Sequence, residues 1–189
     1  MEDILREVCE LFPSQYVMIG GDEVDMTQWN KCPTCQEVMK KEGMKTGHEL
    51  EAHFMTRLEE ILKKYGKSAG VWNEAINGGN LAQETRVYGW EDIKACLDAT
   101  SRGFKTVVMP GDPFYFDMKY SRDEPGMTWA GIVPTENVYN FDFKEKGFGP
   151  QNMENVIGVE GAFWSEVLLS QGKNHLWRQT YPRICALSE

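Results

Sequence analysis

Hydrophobic positions along the chain follow two spacings, which predict helices and strands in alternation. Apolar residues three or four apart indicate helices at residues 4–12, 33–41, 46–65, 93–101 and 175–187. Short continuous apolar runs indicate buried strands at residues 16–19, 69–72, 86–89, 106–109 and 156–163. A capping box that begins at Thr46 marks the start of one helix, and Gly66 marks its end.

The alternation of strands and helices predicts parallel strands and therefore the α/β fold class. Residues 110–155 interrupt this alternation, because they are rich in Gly, Pro, Asp and aromatic residues and carry no clear element pattern. A connection of that length inside a compact domain is usually functional. No repeat, low-complexity tract or linker divides the chain, so residues 1–189 are expected to form a single domain.

The balance of charged residues argues against two classes of partner. The 189 residues include 20 Lys and Arg and 29 Asp and Glu, which gives a net charge of −9. Nucleic acids and anionic membrane surfaces bind clustered positive charge, so neither is expected as a partner. No apolar run is long enough to span a bilayer, and the first residues follow an amphipathic pattern and not that of a secretory leader.

The cysteines do not form a recognisable metal site. Cys32 and Cys35 have C-x-x-C spacing, but no second such pair and no His pair completes a zinc site. The five cysteines, an odd number at irregular spacing, do not indicate a disulfide framework. We interpret the segment as a loop that leads into a helix with Pro33 near its first turn, and we expect no metal and no cofactor.

Acidic and aromatic residues recur where the predicted strands end. The endings are Asp22-Glu23, Trp72-Asn73-Glu74, Trp90-Glu91, Tyr115-Phe116-Asp117 and Trp164-Ser165-Glu166. Residues two apart in an extended chain point to the same side, so several endings present a ring and a carboxylate together. In parallel α/β folds the ligand site lies at these carboxyl ends of the strands.

A ring beside a carboxylate suits a sugar, because the C–H faces of a sugar lie on aromatic rings and its hydroxyl groups donate to carboxylates. Core packing explains any single ending better than sugar binding does. The recurrence of the same ending after successive strands is what favours a carbohydrate site.

Gly20-Gly21-Asp22-Glu23 is the most informative of the endings. The glycines allow a tight turn and the close approach of a ligand. When two adjacent carboxyls are partly desolvated, one tends to stay ionised while the other holds a proton, as acid-assisted glycoside cleavage requires. A solvated acidic turn is the simpler alternative. The same four residues mark diguanylate cyclases, but there the motif lies on a hairpin well inside the domain, whereas here one helix and one strand precede it.

The whole chain resembles the family 20 glycoside hydrolases, the β-N-acetylhexosaminidases. Residues 16–24 are similar to the catalytic block of that family. Later blocks follow in the same order, namely Val71-Trp72-Asn73-Glu74, Tyr115-Phe116-Asp117, Phe163-Trp164-Ser165-Glu166 and residues 182–189. Residues 115–139 are most similar to the bacterial chitobiase-like branch.

The resemblance implies a (β/α)8 barrel that hydrolyses terminal β-linked N-acetylhexosamine by a substrate-assisted, retaining mechanism. In that mechanism the 2-acetamido oxygen of the sugar attacks the anomeric carbon and forms an oxazolinium-like intermediate. By the resemblance, Glu23 is the general acid and later the base for water. Asp22 holds the acetamido N–H, and Tyr115 hydrogen-bonds the acetamido carbonyl oxygen.

The resemblance also implies substrate-binding roles for five more residues. The rings of Trp72, Trp90 and Trp164 would wall the acetamido pocket and the sugar face. The carboxyls of Asp117 and Glu166 would bind ring hydroxyl groups. The expected partner is an oligosaccharide or glycoconjugate that contains N-acetylhexosamine.

Two positions depart from the family pattern. Met18 stands where the family usually has His, and Asn73 stands where it often has Asp. The His supports the acid pair from behind, so the tuning of Asp22 and Glu23 is expected to differ from that in the family.

The chain is expected to be the C-terminal portion of a glycosidase catalytic barrel, because about five of the eight strands of the family barrel are predicted. The early strands, an Arg that grips the non-reducing end of the sugar and a smaller preceding domain would belong to a longer parent protein. We therefore expect poor hydrolysis by these residues alone, and uncovered barrel edges through which a homodimer could form. A periplasmic, cell-surface or secreted parent is expected from the chitobiase-like branch.

Met18 and the absent strands leave two other hypotheses open. In the first, the chain is a non-catalytic carbohydrate-binding remnant or a pseudoenzyme. In the second, it is a structural module whose Trp residues only pack, and quenching of Trp fluorescence by a sugar would count against that reading.

Overall fold

The computed structural model describes all 189 residues, which fold into two compact units. Unit 1 comprises residues 1–88 and 103–105, and unit 2 comprises residues 89–102 and 106–189. The five strands follow one another in the sheet in chain order, and the pairings of β1 with β2, β2 with β3 and β4 with β5 are parallel. The predicted α/β fold with about five parallel strands is therefore confirmed. The prediction of a single domain stays a prediction.

The strands and helices have the following bounds. The strands are β1 (Tyr16–Met18), β2 (Ser68–Trp72), β3 (Arg86–Gly89), β4 (Lys105–Val108) and β5 (Val156–Val159). The helices before β3 are α1 (Glu2–Leu11), α2 (Thr27–Lys31), α3 (Pro33–Glu42), α4 (Gly47–Lys64) and a 3-10 helix (Asn73–Gly78). Those after β3 are α5 (Ile93–Ser101), α6 (Gly111–Phe114), α7 (Thr135–Tyr139), α8 (Pro150–Met153), α9 (Leu168–Gln171), α10 (Lys173–Thr180) and α11 (Arg183–Ser188). None of them is both long enough and apolar enough to cross a membrane.

The long helix α4 contributes five buried apolar side chains to the core of unit 1. The predicted capping box is present, since the Thr46 hydroxyl accepts from the Glu49 N–H and the Glu49 carboxylate accepts from the Thr46 N–H. The buried face of α4 carries apolar side chains at helical spacing, namely Leu50, Ala52, Met55, Leu58 and Leu62. This face packs on β2 and on the 3-10 helix that follows β2.

Two elements of unit 2 are shorter than the sequence predicts. The strand predicted at residues 156–163 ends at Val159, because its partner β4 ends at Val108 and the chain there turns away into α6. Beyond that point only a single bridge joins Ala162 to Tyr115. The helix predicted at residues 175–187 is divided between α10 and α11, because Pro182 has no N–H to donate and cannot continue a helix.

The long segment 110–155, predicted without elements, contains the short helices α6, α7 and α8. A buried guanidinium anchors this segment to the C-terminal helices. Arg183, at the start of α11, is fully buried and donates to the backbone carbonyl oxygens of Phe116, Met118 and Val133. It also donates to the backbone and side-chain oxygens of Gln179. A planar group with several fixed donors can satisfy several carbonyls at once, which suits a segment with little regular structure.

Arg183→Met is expected to destabilise the protein by on the order of 3–5 kcal/mol, because the buried carbonyls that Arg183 satisfies would lose their donor. Urea unfolding followed by Trp fluorescence would measure this change. The matched control is Arg178→Met, since Arg178 pairs with Glu124 at the surface and lies on the same pair of helices. Equal and small effects of the two substitutions would contradict the anchoring role of Arg183.

Candidate active site

In unit 1 the acid pair follows a turn that only glycine can make. Hydrogen bonds from the Ile19 N–H to Gly70 O and from the Trp72 N–H to Gly20 O extend the pairing of β1 with β2. Gly20 and Gly21 then adopt φ of 84° and 97°. A side chain at Gly21 would also lie 2.6 Å from the Cβ of Ala75. The Gly-Gly pair is therefore required by backbone conformation and by close packing.

The side chains of Asp22 and Glu23 are exposed, so the partial desolvation predicted for this pair is wrong for these 189 residues. The physical reason is that β1 is the first strand of the sheet and has a neighbour on one side only. Glu23 has φ of 49°, a left-handed conformation that is uncommon for any residue other than glycine. Its backbone N–H donates to the Glu74 Oε1 at 2.9 Å. Glu74 lies on the 3-10 helix after β2.

Trp72, the predicted wall residue of unit 1, ends β2 and is half-buried. Its ring meets the edge of the Tyr88 ring, with centroids 6.0 Å apart and an interplanar angle of 73°. Asn73, where the family often has Asp, is buried directly after it. The structure therefore places Trp72 at the carboxyl end of the strand next to the one that leads to the acid pair.

Glu51 is a residue of this region that the sequence analysis missed. It lies on the buried face of α4 with 3% of its surface exposed, and its Oε1 has no hydrogen-bond partner. Burial raises the pKa of Glu51, and repulsion from Glu74 and Asp22 raises it further against the opposing effect of His48. The helical apolar stripe of α4 hides this acid, because nothing local shows that its carboxyl faces other carboxyls.

In unit 2 the aromatic residues gather around Tyr115, which is 3% exposed. The ring centroid of Tyr115 lies 6.2 Å from that of Trp90, 6.4 Å from that of Trp164 and 5.1 Å from that of Trp129. Trp90 and Trp129 also meet edge to face, with centroids 5.7 Å apart. Three predicted site residues therefore belong to one cluster of rings, which we call the Tyr115 cluster.

Trp129 is the second residue that the sequence analysis missed as a site residue. Trp129 is 49% exposed although its ring contacts the rings of both Trp90 and Tyr115. Gly111 makes this position possible, because a Cβ at Gly111 would lie 2.5 Å from the Trp129 ring. The sequence gives two signals: Trp129 lies in the long segment 110–155, where function was expected, and in residues 115–139, which resemble the chitobiase-like branch.

Asp117 and Glu166 differ sharply in exposure. Asp117 is 2% exposed, accepts from the backbone N–H of Trp164, and has an Oδ1 without a hydrogen-bond partner. Burial raises the pKa of Asp117 to about 6, with a smaller contribution from Glu166 and an opposing one from Arg183. Glu166 is exposed. A buried carboxyl with an unused oxygen beside aromatic rings can accept a hydrogen bond from a ligand hydroxyl.

The predicted site residues thus fall into two groups, each at the carboxyl ends of strands. Unit 1 holds Asp22, Glu23 and Trp72, and unit 2 holds Trp90, Tyr115, Asp117, Trp164 and Glu166. Their assignment as catalytic and binding residues stays a prediction. No group of three or more His, Cys, Asp or Glu side chains is arranged to hold a metal ion. The C-x-x-C segment leads into α3 with Cys32 at the N-cap and Pro33 in the first turn, as predicted.

Comparison with known proteins identifies relatives along the whole chain. The family model described as glycosyl hydrolase family 20, catalytic domain, matches residues 1–189. The chain is 33% identical to a β-hexosaminidase of Vibrio furnissii over 191 residues, covering 100% of this chain and 31% of that protein. It is 31% identical to a β-hexosaminidase of Porphyromonas gingivalis, covering 100% of this chain and 24% of that protein.

Solved structures show the same likeness. A family 20 exo-β-N-acetylglucosaminidase from Vibrio harveyi, in complex with N-acetylglucosamine, superposes with a TM-score of 0.88 at 33% identity, covering 100% of this chain and 30% of that one. A chitobiase from Flavobacterium johnsoniae gives a TM-score of 0.80 at 29% identity, covering 99% of this chain and 27% of that one. These likenesses confirm the predicted barrel family. The chain spans less than a third of the length of each of these four proteins.

The buried Asp117 predicts a pH-dependent stability. Its carboxyl titrates at 3.8 when unperturbed and at a pKa of about 6 when folded, so the folded state holds the proton more tightly. The stabilisation is complete below pH of about 4 and is lost as the pH rises through about 6. Such a shift corresponds to roughly 3 kcal/mol. The free energy of unfolding, relative to that of Asp117→Asn, is therefore expected to fall by that order over this interval in urea unfolding.

Asp123→Asn is the matched control, because Asp123 is exposed in the same segment. The change with pH is expected to be larger for Asp117→Asn than for Asp123→Asn. A constant difference for Asp117→Asn would show that Asp117 titrates normally in the folded protein.

Proposed function

The chain belongs to glycosyl hydrolase family 20, and on this basis we propose that it forms part of an enzyme that removes terminal, non-reducing β-linked N-acetylhexosamine. The names of the relatives support the activity, since both curated relatives are β-hexosaminidases. The substrate class is supported by the Vibrio harveyi structure, which was obtained with N-acetylglucosamine. The proposal covers N-acetylglucosamine and N-acetylgalactosamine in oligosaccharides or glycoconjugates.

The observation that carries the proposal is the Tyr115 cluster with the buried Asp117 beside it. The rings offer flat apolar faces to the C–H groups and the acetyl methyl of a sugar. The unused Oδ1 of Asp117 offers an acceptor to a ring hydroxyl. Sites of this kind combine mostly apolar walls with a few polar groups that fix orientation.

We propose a substrate-assisted retaining mechanism in which the protein supplies no nucleophile. The acetamido carbonyl oxygen of the sugar attacks the anomeric carbon while Glu23 donates its proton to the departing glycosidic oxygen. An oxazolinium-like ring results, and the leaving group departs as an alcohol. Glu23, now a carboxylate, then takes a proton from the water that attacks the anomeric carbon and reopens the ring. Use of an internal nucleophile replaces a bimolecular step by an intramolecular one.

The remaining predicted residues position the substrate in this proposal. Asp22 accepts from the acetamido N–H and stabilises the positive charge that develops there. The hydroxyl group of Tyr115 donates to the acetamido carbonyl oxygen and aligns it for attack. The rings that wall the site belong to Trp72, Trp90 and Trp164, and the carboxyls that bind ring hydroxyl groups belong to Asp117 and Glu166.

A non-catalytic carbohydrate-binding protein is the alternative, and Met18 favours it. Met18 ends β1 with 41% of its surface exposed, at the position where the family usually has a His that supports the acid pair. A thioether cannot take or give a proton, so it cannot replace that function. A protein that binds N-acetylglucosamine in titration calorimetry but never cleaves its aryl glycoside would establish this alternative.

Glu23→Gln in the full-length protein is expected to lower hydrolysis of an aryl β-N-acetylglucosaminide by roughly 10²–10⁴-fold, because an amide cannot shuttle the proton. Steady-state kinetics at neutral pH would measure this loss. Glu60→Gln is the control, since Glu60 is an exposed glutamate of α4 that pairs with Arg57 at the surface. Unchanged hydrolysis by Glu23→Gln would overturn the role given to Glu23.

Tyr115→Phe is expected to lower kcat by roughly 10²-fold while KM changes little, because the ring still packs but no longer aligns the acetamido oxygen. The same aryl substrate serves for the measurement. Tyr139→Phe is the control, since Tyr139 is 62% exposed at the end of α7. A change confined to KM would show that the Tyr115 hydroxyl contributes to binding and not to alignment.

A further inference from the structure

We infer that Glu74 is a positioning residue that holds the backbone of Glu23 in its left-handed conformation and thereby places the Glu23 carboxyl for proton transfer. The inference rests on the proposed function, in which Glu23 is the general acid. It concerns unit 1 alone, where the Glu23 N–H donates to Glu74 Oε1 at 2.9 Å. The two residues are 51 positions apart in the chain, so local structure does not impose this hydrogen bond.

The backbone of Glu23 needs such a partner. Its φ of 49° places it in the left-handed region, which residues with a Cβ adopt only when their surroundings enforce it. The preceding residues Gly20 and Gly21 also have positive φ, which glycine adopts about as readily as negative φ, so they do not by themselves impose the conformation of Glu23. Without the acceptor on Glu74, the backbone at Glu23 is free to relax to negative φ, which would point the side chain in another direction.

Glu74 is well placed to enforce the conformation because the 3-10 helix that carries it is packed into unit 1. The next two residues, Ala75 and Ile76, are each 1% exposed. Ala75 packs against Gly21, at the turn that leads into the acid pair. Gly78, at the end of the 3-10 helix, lies against the backbone of His48 on α4. The acceptor therefore belongs to a packed element and not to a mobile loop.

The surroundings of Glu74 also favour an acceptor at this place. Glu51 lies on the buried face of α4, which packs on the 3-10 helix, and its Oε1 has no hydrogen-bond partner. A backbone N–H is then a valuable donor for a carboxylate, because an anion bonded to an N–H forms one of the stronger hydrogen bonds in proteins.

The geometry matters because a general acid must stand within hydrogen-bond reach of the oxygen that it protonates. Displacement of a reacting group by about 1 Å can cost a factor of about 10² in rate. Displacement of the general acid slows the departure of some leaving groups more than that of others. A sugar alcohol departs only when protonated, whereas a dinitrophenolate departs without a proton.

The inference is tested by comparing two substrates in the full-length protein, namely 2,4-dinitrophenyl β-N-acetylglucosaminide and di-N-acetylchitobiose. Glu74→Gln keeps an amide oxygen that accepts the Glu23 N–H, so its kcat/KM is expected to stay close to that of the unsubstituted protein on both. Glu74→Ala removes the acceptor, and Glu74→Asp withdraws it by one methylene. We expect both to lose about tenfold or more on the disaccharide beyond any loss on the aryl substrate.

Three outcomes in the variants would overturn the inference and leave the proposed function in place. Equal losses on the two substrates would show a general structural effect of Glu74, and unchanged kinetics in Glu74→Ala would show no effect. A loss in Glu74→Gln as selective as that in Glu74→Ala would show that charge and not the hydrogen bond matters. If thermal unfolding shows that Glu74→Ala is not folded, Glu74→Asp decides. An unsubstituted protein that cleaves neither substrate would overturn the proposed function itself, and the inference with it.

Discussion

Backbone that leaves a β-sheet loses the hydrogen-bond partners that neighbouring strands supply, and every residue proposed for the site lies on such backbone or at the strand end next to it. The protein meets this constraint with charged side chains from distant parts of the chain. In unit 1 the carboxylate of Glu74 accepts the N–H of Glu23. In unit 2 the guanidinium of Arg183 donates to the carbonyl oxygens of Phe116, Met118 and Val133. A carboxylate can thus accept from backbone N–H groups that lack a strand partner, and a guanidinium can donate to carbonyl oxygens that lack one.

The anchoring by Arg183 explains how a long irregular segment can hold a buried acid. Phe116 and Met118, whose carbonyls Arg183 binds, are the neighbours of Asp117 on either side. The backbone at Asp117 is therefore fixed while one carboxyl oxygen remains unused. Burial without a full set of partners raises the pKa of this carboxyl. The ionised form is therefore unfavourable for stability, as is common for titratable groups at functional sites. The same segment presents Trp129 to the Tyr115 cluster through the space that Gly111 leaves.

The two units supply different parts of the proposed chemistry. Unit 1 provides carboxyls: Asp22 and Glu23 are exposed after a glycine turn, and Glu51 and Glu74 lie on packed helices. This arrangement suits proton transfer. Unit 2 provides flat rings around Tyr115 and a desolvated acceptor, which suits recognition of an acetylated sugar. In the function proposed for this member of glycosyl hydrolase family 20, unit 1 supplies proton transfer and unit 2 supplies sugar recognition.

The sequence by itself determined the strands, the capped helix α4, the acid and aromatic residues at strand ends, and through them the family. These features follow from spacing over a few residues, which a linear pattern records. Only the tertiary structure decided that β5 ends at Val159, that Asp22 and Glu23 are exposed, and that Trp129 joins the Tyr115 cluster. It also decided the partners of Glu23 and Phe116, which are 51 and 67 positions away in the chain. Hydrogen bonds and burial of this kind depend on which distant segments the fold brings together, and no local pattern carries that information.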